Sequence, residues 1–231
     1  MSCHVERPLD NRVWKRYSAL LRSCPSGFRI ASLLRPPFEG EDGSSFVERA
    51  REAASLGPLG HHTHWESPTG ARPKTDKAPA ERVLREGRWL REQGLEPRFF
   101  CGGGWYMDAE VIAAVADLGY ADCTATAWRP SYLPAGAPRV GLDQPALVRV
   151  PDGRPVLELP TTHSLGAIAK GVAGRLPPVV HVHFHDYELL DPKRRVALRV
   201  VLALLARRRR PVGLDALSAE REVAWDALYE G

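Results

Sequence analysis

Eight histidines are distributed unevenly along the 231-residue chain, and six of them fall into two short windows. The six are His61, His62, His64, His181, His183 and His185. Imidazole is a common metal ligand, and it is the side chain that exchanges protons near neutral pH. The two clusters therefore favour a site with metal or acid–base chemistry over two polar loops assembled by chance.

The first cluster continues to a carboxylate, in the segment Gly-His-His-Thr-His-Trp-Glu that ends at Glu66. If the backbone is extended, His62, His64 and Glu66 share a face, and if it is helical, His62 and Glu66 do. An imidazole with a carboxylate is half of a site for Zn²⁺ or another divalent ion. Near the N-terminus, His4 and Glu6 flank one apolar residue and point the same way, which offers a third ligand unless this terminus is frayed.

The second cluster alternates with apolar residues, so on a strand its three histidines point to one side. Only His185 lies at the carboxyl end of that strand, where Asp186 follows it. We expect His185 to be functional, and His181 and His183 to be hydrogen-bonded groups of the interior. The isolated His163 stays open between a functional and a structural role.

Extended and helical segments alternate along the chain and must position these side chains. Helical patterns cover residues 12–22, 45–54, 80–93, 108–118, 191–210 and 217–229. Extended patterns cover residues 28–34, 98–101, 122–128, 156–160, 179–185 and 211–214. The alternation predicts an α/β fold with a parallel sheet and helical crossovers, either open or closed into a barrel. In both forms the chemistry belongs at the carboxyl ends of the strands.

Connecting segments add three expectations. Residues 66–77 predict a loop, and residues 130–155, which hold many prolines and glycines, predict loops and a hairpin. Ser45 and Glu48 resemble a capping box at the start of the second helix. Gly102, Gly103 and Gly104 predict a turn where the backbone approaches something closely.

Composition limits the classes of protein that fit. With 44% hydrophobic and 26% charged residues and no run of 18 apolar residues, the chain predicts a globular domain over residues 1–231 without a membrane span. The four cysteines show no CxxC spacing and no apolar signal segment opens the chain, so we expect a reducing cytoplasmic location. The net charge of +4 is mild, and Arg207–Arg210 fall at a helix end, so no nucleic-acid partner is expected. The sequence does not indicate an oligomeric state.

The order of these motifs resembles that of the polysaccharide deacetylase family, the fourth family of carbohydrate esterases. The similarity covers about residues 2–217: an acidic strand end, then Gly-x-His-Thr, an aromatic strand running into glycines, and a late strand ending in His-Asp. The resemblance implies a distorted (β/α)₇-type barrel with parallel strands. It also implies removal of acetyl groups from N-acetylated sugars with one divalent metal ion.

Carried over by motif, the resemblance makes Glu6 and His62 metal ligands. Glu66 occupies the position of the family's second metal histidine, and His64 competes for that role. His185 corresponds to the general acid that protonates the leaving amine, and we expect Asp186 to orient it.

The turn after the aromatic strand corresponds to the place where a backbone N–H stabilises the oxyanion. Trp105 or Tyr106 would carry that donor, and Gly103 and Gly104 would let the bare backbone approach a substrate. Trp65, Trp105 and Tyr106 could also stack on a sugar ring.

Two departures from the family pattern are paired. His4 stands where the family has its catalytic aspartate, and Cys101 stands where it has the arginine that pairs with that aspartate. A neutral imidazole needs no arginine partner, so His4 could serve as the base.

The sequence therefore predicts a metal-dependent N-deacetylase acting on a small sugar metabolite or a glycan precursor. Zn²⁺ is the expected metal, with Co²⁺, Ni²⁺, Mn²⁺ and Fe²⁺ as alternatives. A metal-dependent hydrolase of another C–N bond and a non-catalytic sugar-binding barrel stay open as alternative functions.

Overall fold

Short strands alternate with helices in a computed structural model that describes residues 1–72, 78–130 and 139–230. The strands are β1 (Ser2–Val5), β2 (Ala31–Leu34), β3 (Leu59–Thr63), β4 (Phe99–Gly102), β5 (Ala121–Asp122), β6 (Arg139–Val140), β7 (Ala146–Arg149), β8 (Pro155–Glu158), β9 (His163–Ser164), β10 (Val182–His185), β11 (Glu222–Ala224) and β12 (Tyr229–Glu230). The α-helices are α1 (Asn11–Ser23), α2 (Gly43–Leu56), α3 (Pro79–Glu92), α4 (Ala109–Asp117), α5 (Leu165–Gly171) and α6 (Pro192–Arg208). Parts of the two expected loop regions, 73–77 and 131–138, lie outside the described residues.

Ten strands form one sheet in the order β11-β7-β8-β5-β4-β3-β2-β1-β10-β9. All neighbouring pairs in this sheet are parallel except β7 and β8. The strand β7 lies within residues 130–155, where loops and a hairpin are expected, but its antiparallel partner β8 is mainly the strand expected at residues 156–160. The strands β6 and β12 form a separate antiparallel pair. The predicted α/β class with a mostly parallel sheet is confirmed.

The segment between β8 and β9 links the two sides of the sheet. The Leu159 N–H donates to the carbonyl of Asp122 in β5 at 2.7 Å. Three residues later, the Thr162 N–H donates to the His181 carbonyl, just before β10, at 2.9 Å. One stretch of backbone thus bonds to β5 at its start and to the β10 side at its end, which curves the sheet around an interior as in a barrel.

Helix positions follow from amphipathic spacing and from capping side chains. In α1, Val13, Tyr17 and Leu21 are buried along one face, as predicted, and Asp10 accepts the N–H groups of Arg12 and Val13 at the N-terminus. The expected capping box of α2 is wrong. Its cap is Asp42, whose carboxylate accepts the N–H of Ser45 at 3.0 Å.

The C-terminal region differs most from the prediction. No strand occupies residues 211–214 and no α-helix occupies residues 217–229. Instead β11 pairs in parallel with β7, and its Val223 packs against the core cluster that contains Trp225, the residue directly after the strand. The pattern of residues 179–185 also overestimates β10, which begins at Val182.

The arginines at the end of α6 bind nearby carbonyl groups. Arg208 donates to the carbonyls of Val172 and Gly174, and Arg209 donates to those of Leu176 and Pro177. This agrees with the interpretation of the tract as a helix end. Among the described helices, none has the length and apolar character needed to cross a membrane.

Candidate metal and acid–base site

The ends of β1 and β3, which β2 separates in the sheet, bring one carboxylate and two imidazoles together. Glu6 follows β1, whereas His62 lies in β3 and His64 directly after it. The Glu6 Oε1 atom lies 3.8 Å from His62 Nε2 and 3.4 Å from His64 Nε2. The three potential ligand atoms all lie within 4.8 Å of one another.

Backbone carbonyls hold both imidazoles by their far nitrogens. The Nδ1 of His62 lies 2.8 Å from the Cys101 carbonyl oxygen, and the Nδ1 of His64 lies 2.9 Å from that of Pro68. Because a carbonyl only accepts, each Nδ1 carries a hydrogen, and in the neutral form of the ring each Nε2 then presents a lone pair. Both Nε2 atoms are buried without a hydrogen-bond partner among the described residues. This is the arrangement in which a histidine is prepared to bind a metal ion.

The charges of Glu6 and His62 suit the binding of a cation. Burial alone would raise the pKa of Glu6, but its interactions with His62, His64 and His185 hold that pKa well below the usual range. Burial lowers the pKa of His62 to about 4, so this imidazole is neutral at pH 7. The site therefore offers an ionised carboxylate and a neutral imidazole to a cation.

The structure groups His64, and not Glu66, with the other two potential ligands. Among the described residues, Glu66 belongs to neither of the groups whose potential ligand atoms lie within 4.8 Å of one another. The strand ends at Thr63, so residue 64 still lies on the face of His62, whereas Glu66 lies three residues beyond the end of the extended segment. The geometry thus favours His64 over Glu66 as the third potential ligand.

A second group of potential ligand atoms comes from His4, His62 and Cys101. Burial raises the pKa of the Cys101 thiol well above its usual range, and the neighbouring Asp122 carboxyl raises it further. A cysteine binds metal as the thiolate, which this environment disfavours. The group that contains Glu6 is therefore the candidate metal centre.

His4 lies beneath this centre, on the interior side of β1, and is 3% exposed. Its ring stacks on His62 with centroids 4.5 Å apart and lies 5.3 Å from the rings of both Trp105 and His183. Burial holds the pKa of His4 well below its usual value, and neighbouring histidines lower it further. Its Nε2 is buried without a hydrogen-bond partner among the described residues.

His185, at the end of β10, faces the candidate centre from the other side of β1. Its Nε2 lies 3.4 Å from Glu6 Oε1, and its Nδ1 lies 3.1 Å from Glu188 Oε1. The backbone N–H of His185 donates to the same Glu188 oxygen at 3.2 Å. Burial alone would lower the pKa of His185, but the carboxylates of Glu188 and Glu6 raise it above its ordinary value.

The expectation that Asp186 orients His185 is wrong. The Asp186 carboxylate accepts the backbone N–H groups of Glu6 and Arg7 at 3.2 and 2.9 Å, and also that of Tyr187. Asp186 therefore holds the end of β1, while Glu188 orients the imidazole. Burial raises the pKa of Asp186 to about 6.

The glycines after β4 form a turn against the residues that follow β3. A side chain at Gly103 would place its Cβ only 2.4 Å from the Thr63 carbonyl oxygen. Gly104 and Trp105 follow with φ of 62° and 59°, and this left-handed conformation is uncommon for tryptophan. The Tyr106 N–H donates to the Gly103 carbonyl at 3.3 Å, so Trp105 is the better placed of the two expected oxyanion donors.

Trp65 does not offer a stacking surface, which corrects that expectation. It is 2% exposed, and its indole N–H donates to the Gly103 carbonyl at 2.9 Å. The Tyr106 ring meets it edge-on with centroids 5.5 Å apart. Trp65 thus ties the segment after β3 to the glycine turn. Trp105 is largely buried as well and forms a wall between His4 and Trp128.

The remaining histidines of the second cluster support the interior. His181 lies 2.9 Å from Ser2 Oγ, and its Nδ1 lies 3.1 Å from the Leu159 carbonyl oxygen. His183 is buried, and its ring stacks nearly parallel to that of Trp128. His163 is partly exposed beside Thr162. These placements agree with the interior role expected of His181 and His183.

Two residues that the sequence reasoning missed hold the site together. Glu188 orients His185, and its position three residues after a strand-end histidine was an available signal. Arg35 is 2% exposed and donates its Nε–H to the Glu6 carbonyl at 3.0 Å. Its guanidinium also pairs with Glu41 at 2.7 and 2.9 Å, so it anchors the chain at Glu6. The pairing could not be inferred from spacing alone.

Comparisons with known proteins agree on the fold. No family model matches the sequence, and no curated protein matches it. The solved structure of a family 4 carbohydrate esterase from Streptomyces lividans, in complex with acetate, is 12% identical with a TM-score of 0.54, and the match covers 96% of each chain. The chain has the fold of the family 4 carbohydrate esterases.

Other structures with this fold differ in activity. A mutant of a family 4 pseudoenzyme with restored activity is 13% identical over 96% of this chain and 67% of its own, with a TM-score of 0.57. A 4-α-glucanotransferase from Thermococcus litoralis is 13% identical with a TM-score of 0.58, and this chain spans only 39% of its length. The likeness therefore establishes the carbohydrate esterase fold, and the function must be argued from the site.

Proposed function

We propose that this protein is a metal-dependent N-deacetylase of an N-acetylated sugar. The observation that carries the proposal is the convergence of Glu6 with the two bare Nε2 atoms of His62 and His64. Two histidines and one glutamate are a known ligand set of catalytic zinc, in which further coordination positions stay open. The fold supports the same reaction class, because one of the similar structures is a carbohydrate esterase with acetate bound.

The donor set fits a divalent cation on its own chemistry. Two buried imidazole nitrogens without partners and an ionised carboxylate leave a local need for positive charge. Zn²⁺ is the proposed ion because nitrogen ligands and a single carboxylate suit it better than they suit Mg²⁺ or Ca²⁺. When bound, such an ion would polarise the acyl carbonyl and lower the pKa of a water molecule.

Two histidines, one within β1 and one at the end of the neighbouring β10, are proposed to handle protons. His4 would accept a proton at its Nε2, the buried ring nitrogen that has no hydrogen-bond partner among the described residues. His185 would donate a proton from Nε2 to the departing amine, because Glu188 fixes its Nδ1 and turns Nε2 toward Glu6. The backbone N–H of Trp105 is proposed to stabilise the oxyanion from the strained turn.

A second candidate function is non-catalytic sugar binding, and the environment of His4 favours it. His4 stands where the related family has a catalytic aspartate, and burial lowers its pKa well below the usual value, which weakens it as a base. One of the similar structures is a mutant of a pseudoenzyme. A scaffold that kept its metal ligands while losing its base would show the same geometry.

Acetate release from N-acetylglucosamine and its oligomers, measured with Zn²⁺- or Co²⁺-loaded protein, tests the proposal. We expect wild-type protein to release acetate and His62→Ala to lose both metal and activity. His4→Ala should keep its metal and lose turnover, and Arg12→Ala, which changes an exposed arginine outside the site, should behave as wild type.

Full activity in His4→Ala would contradict the assignment of the base. If metal-loaded wild-type protein binds N-acetylated sugars and releases no acetate from any of them, the non-catalytic candidate replaces the deacetylase.

A further inference from the structure

A cavity of about 400 Å³ opens beside the candidate metal centre, and Glu6 is part of its wall. Charged side chains make up much of its lining, including Glu6, Arg7, Asp10, Arg35 and Glu41, with Tyr187 on one side. Because the cavity begins at a residue proposed to bind the metal, a sugar bound with its acyl group at the centre would extend into it.

Most of the charges in this cavity are already paired. The buried Arg35 guanidinium pairs with both oxygens of Glu41. The Asp10 carboxylate accepts the first N–H groups of α1 at 2.8 and 3.2 Å. Glu6 faces the imidazoles of the candidate centre.

Arg7 is the exception. Its guanidinium carbon lies 5.0 Å above the centre of the Tyr187 ring, and no carboxylate among the described residues forms an ion pair with it. The Tyr187 ring in turn stacks on His185, with centroids 5.1 Å apart and planes 21° from parallel. An aromatic stack therefore leads from the proposed general acid to a cation in the cavity wall that has no ion-pair partner in the described part of the chain.

We infer that Arg7, held on Tyr187, is a specificity residue that binds an anionic group of the sugar substrate. The inference rests on the proposed function and names its substrate class, an N-acetylated sugar bearing a carboxylate or a phosphate. The planar guanidinium can donate two parallel hydrogen bonds to either group. Because Arg7 follows Glu6 directly in the chain, the anionic group must lie on the acetylated sugar or on its immediate neighbour.

Paired substrates test this inference on the metal-loaded protein. The neutral N-acetylglucosamine is compared with its uronic acid and with its 6-phosphate, which separates the carboxylate source from the phosphate source. We expect kcat/KM for at least one anionic substrate to exceed that for the neutral sugar. Arg7→Ala should lower that value about ten- to hundredfold through KM, and leave the neutral sugar within about twofold. Arg7→Lys should lose part of the preference, and the exposed Arg12→Ala should lose none of it.

A binding measurement keeps the test independent of turnover. Glucuronate and glucose 6-phosphate should raise the melting temperature of the metal-loaded wild-type protein more than glucose does, and Arg7→Ala should remove the difference. Equal effects of Arg7→Ala and Arg12→Ala on anionic and neutral ligands would overturn the inference. Anion binding that depends on Arg7 in a protein that releases no acetate would support the inference while contradicting the deacetylase.

Discussion

At the scale of single residues, the hydrogen-bond partner of the Nδ1 atom determines the role that each imidazole can take. The carbonyls of Cys101 and Pro68 bind the Nδ1 atoms of His62 and His64, so the Nε2 atoms of both rings point into the site. Glu188 does the equivalent for His185 with a carboxylate, which holds the ring and favours its charged form. The same type of side chain therefore has two proposed roles, metal binding at His62 and His64 and proton donation at His185.

Glu188→Gln tests the role of the carboxylate behind His185. The amide oxygen can still accept from Nδ1, but the charge is lost, so we expect kcat for acetate release to fall about ten- to hundredfold with little change in KM. Melting curves and zinc content should stay as in wild type, and Glu220→Gln, at an exposed position, serves as the control. An unchanged kcat in Glu188→Gln would show that the partner of His185 has no part in the reaction.

The sequence could indicate the candidate residues more readily than their partners. Glu6, His62 and His64 were candidates because period-two spacing places side chains on one face of a strand. The choice between His64 and Glu66 depended on where β3 ends, which no local pattern determines. A similar cause explains why Glu188, and not the expected Asp186, orients His185. In the short turn after β10 the nearer carboxylate bonds to the backbone at the end of β1, and that contact links residues about 180 positions apart.

At the scale of elements, the turn after β4 must approach the end of β3 for the site to form. Gly103→Ala would drive its Cβ into the carbonyl oxygens of Thr63 and Ala71, at 2.4 and 2.6 Å. We expect the free energy of unfolding to fall by about 1–3 kcal/mol, measured by denaturant titration. Gly171→Ala, where a Cβ meets nothing within 4 Å, should lower the free energy of unfolding far less. Equal losses in the two variants would contradict the close approach.

Elements with a strong local signal were predictable, and those that depend on tertiary pairing were not. The amphipathic spacing of α1 and the caps Asp108 and Asp191 of α4 and α6 are local, and these helices lie where expected. The seven-residue α5 is too short to show a helical period. The segment at β11 carries residues that also suit a helix, and its pairing with β7, far away in the sequence, makes it extended.

At the scale of the whole molecule, two neighbouring strands of the sheet bury a pair of carboxyl groups. Asp122 and Glu158, at opposed positions on β5 and β8, are almost fully buried. Burial raises the pKa of Asp122 to about 6 and that of Glu158 well above its usual range, where the neighbouring Asp122 carboxyl adds to the shift. Both carboxyl groups have lower pKa values in the unfolded chain. At a pH between the unfolded and the folded pKa values, the folded protein therefore binds more protons than the unfolded chain does. The contribution of this pair to the free energy of unfolding therefore falls as pH rises from about 4 through 6.

Glu158→Gln isolates this contribution. The amide mimics the protonated acid and keeps an oxygen to accept the Ala125 N–H, which the native carboxyl accepts at 3.0 Å. Between about pH 4 and pH 8, we expect the free energy of unfolding of the wild-type protein to fall by roughly 1–3 kcal/mol relative to that of this variant. The buried histidines titrate equally in both proteins, so the difference between the two unfolding profiles is the measured quantity. Parallel profiles would contradict the raised pKa values of the buried pair, and Glu220→Gln should give a parallel profile.

Zinc stoichiometry in matched variants addresses the metal centre itself. His64→Ala and Glu66→Ala are purified without chelator, supplemented with Zn²⁺, and compared with wild type by metal analysis and titration calorimetry, with circular dichroism as a check of folding. We predict that folded His64→Ala loses stoichiometric zinc, while Glu66→Ala binds one zinc ion per chain as wild type does. Loss of zinc in Glu66→Ala with retention in His64→Ala would contradict the centre formed by Glu6, His62 and His64.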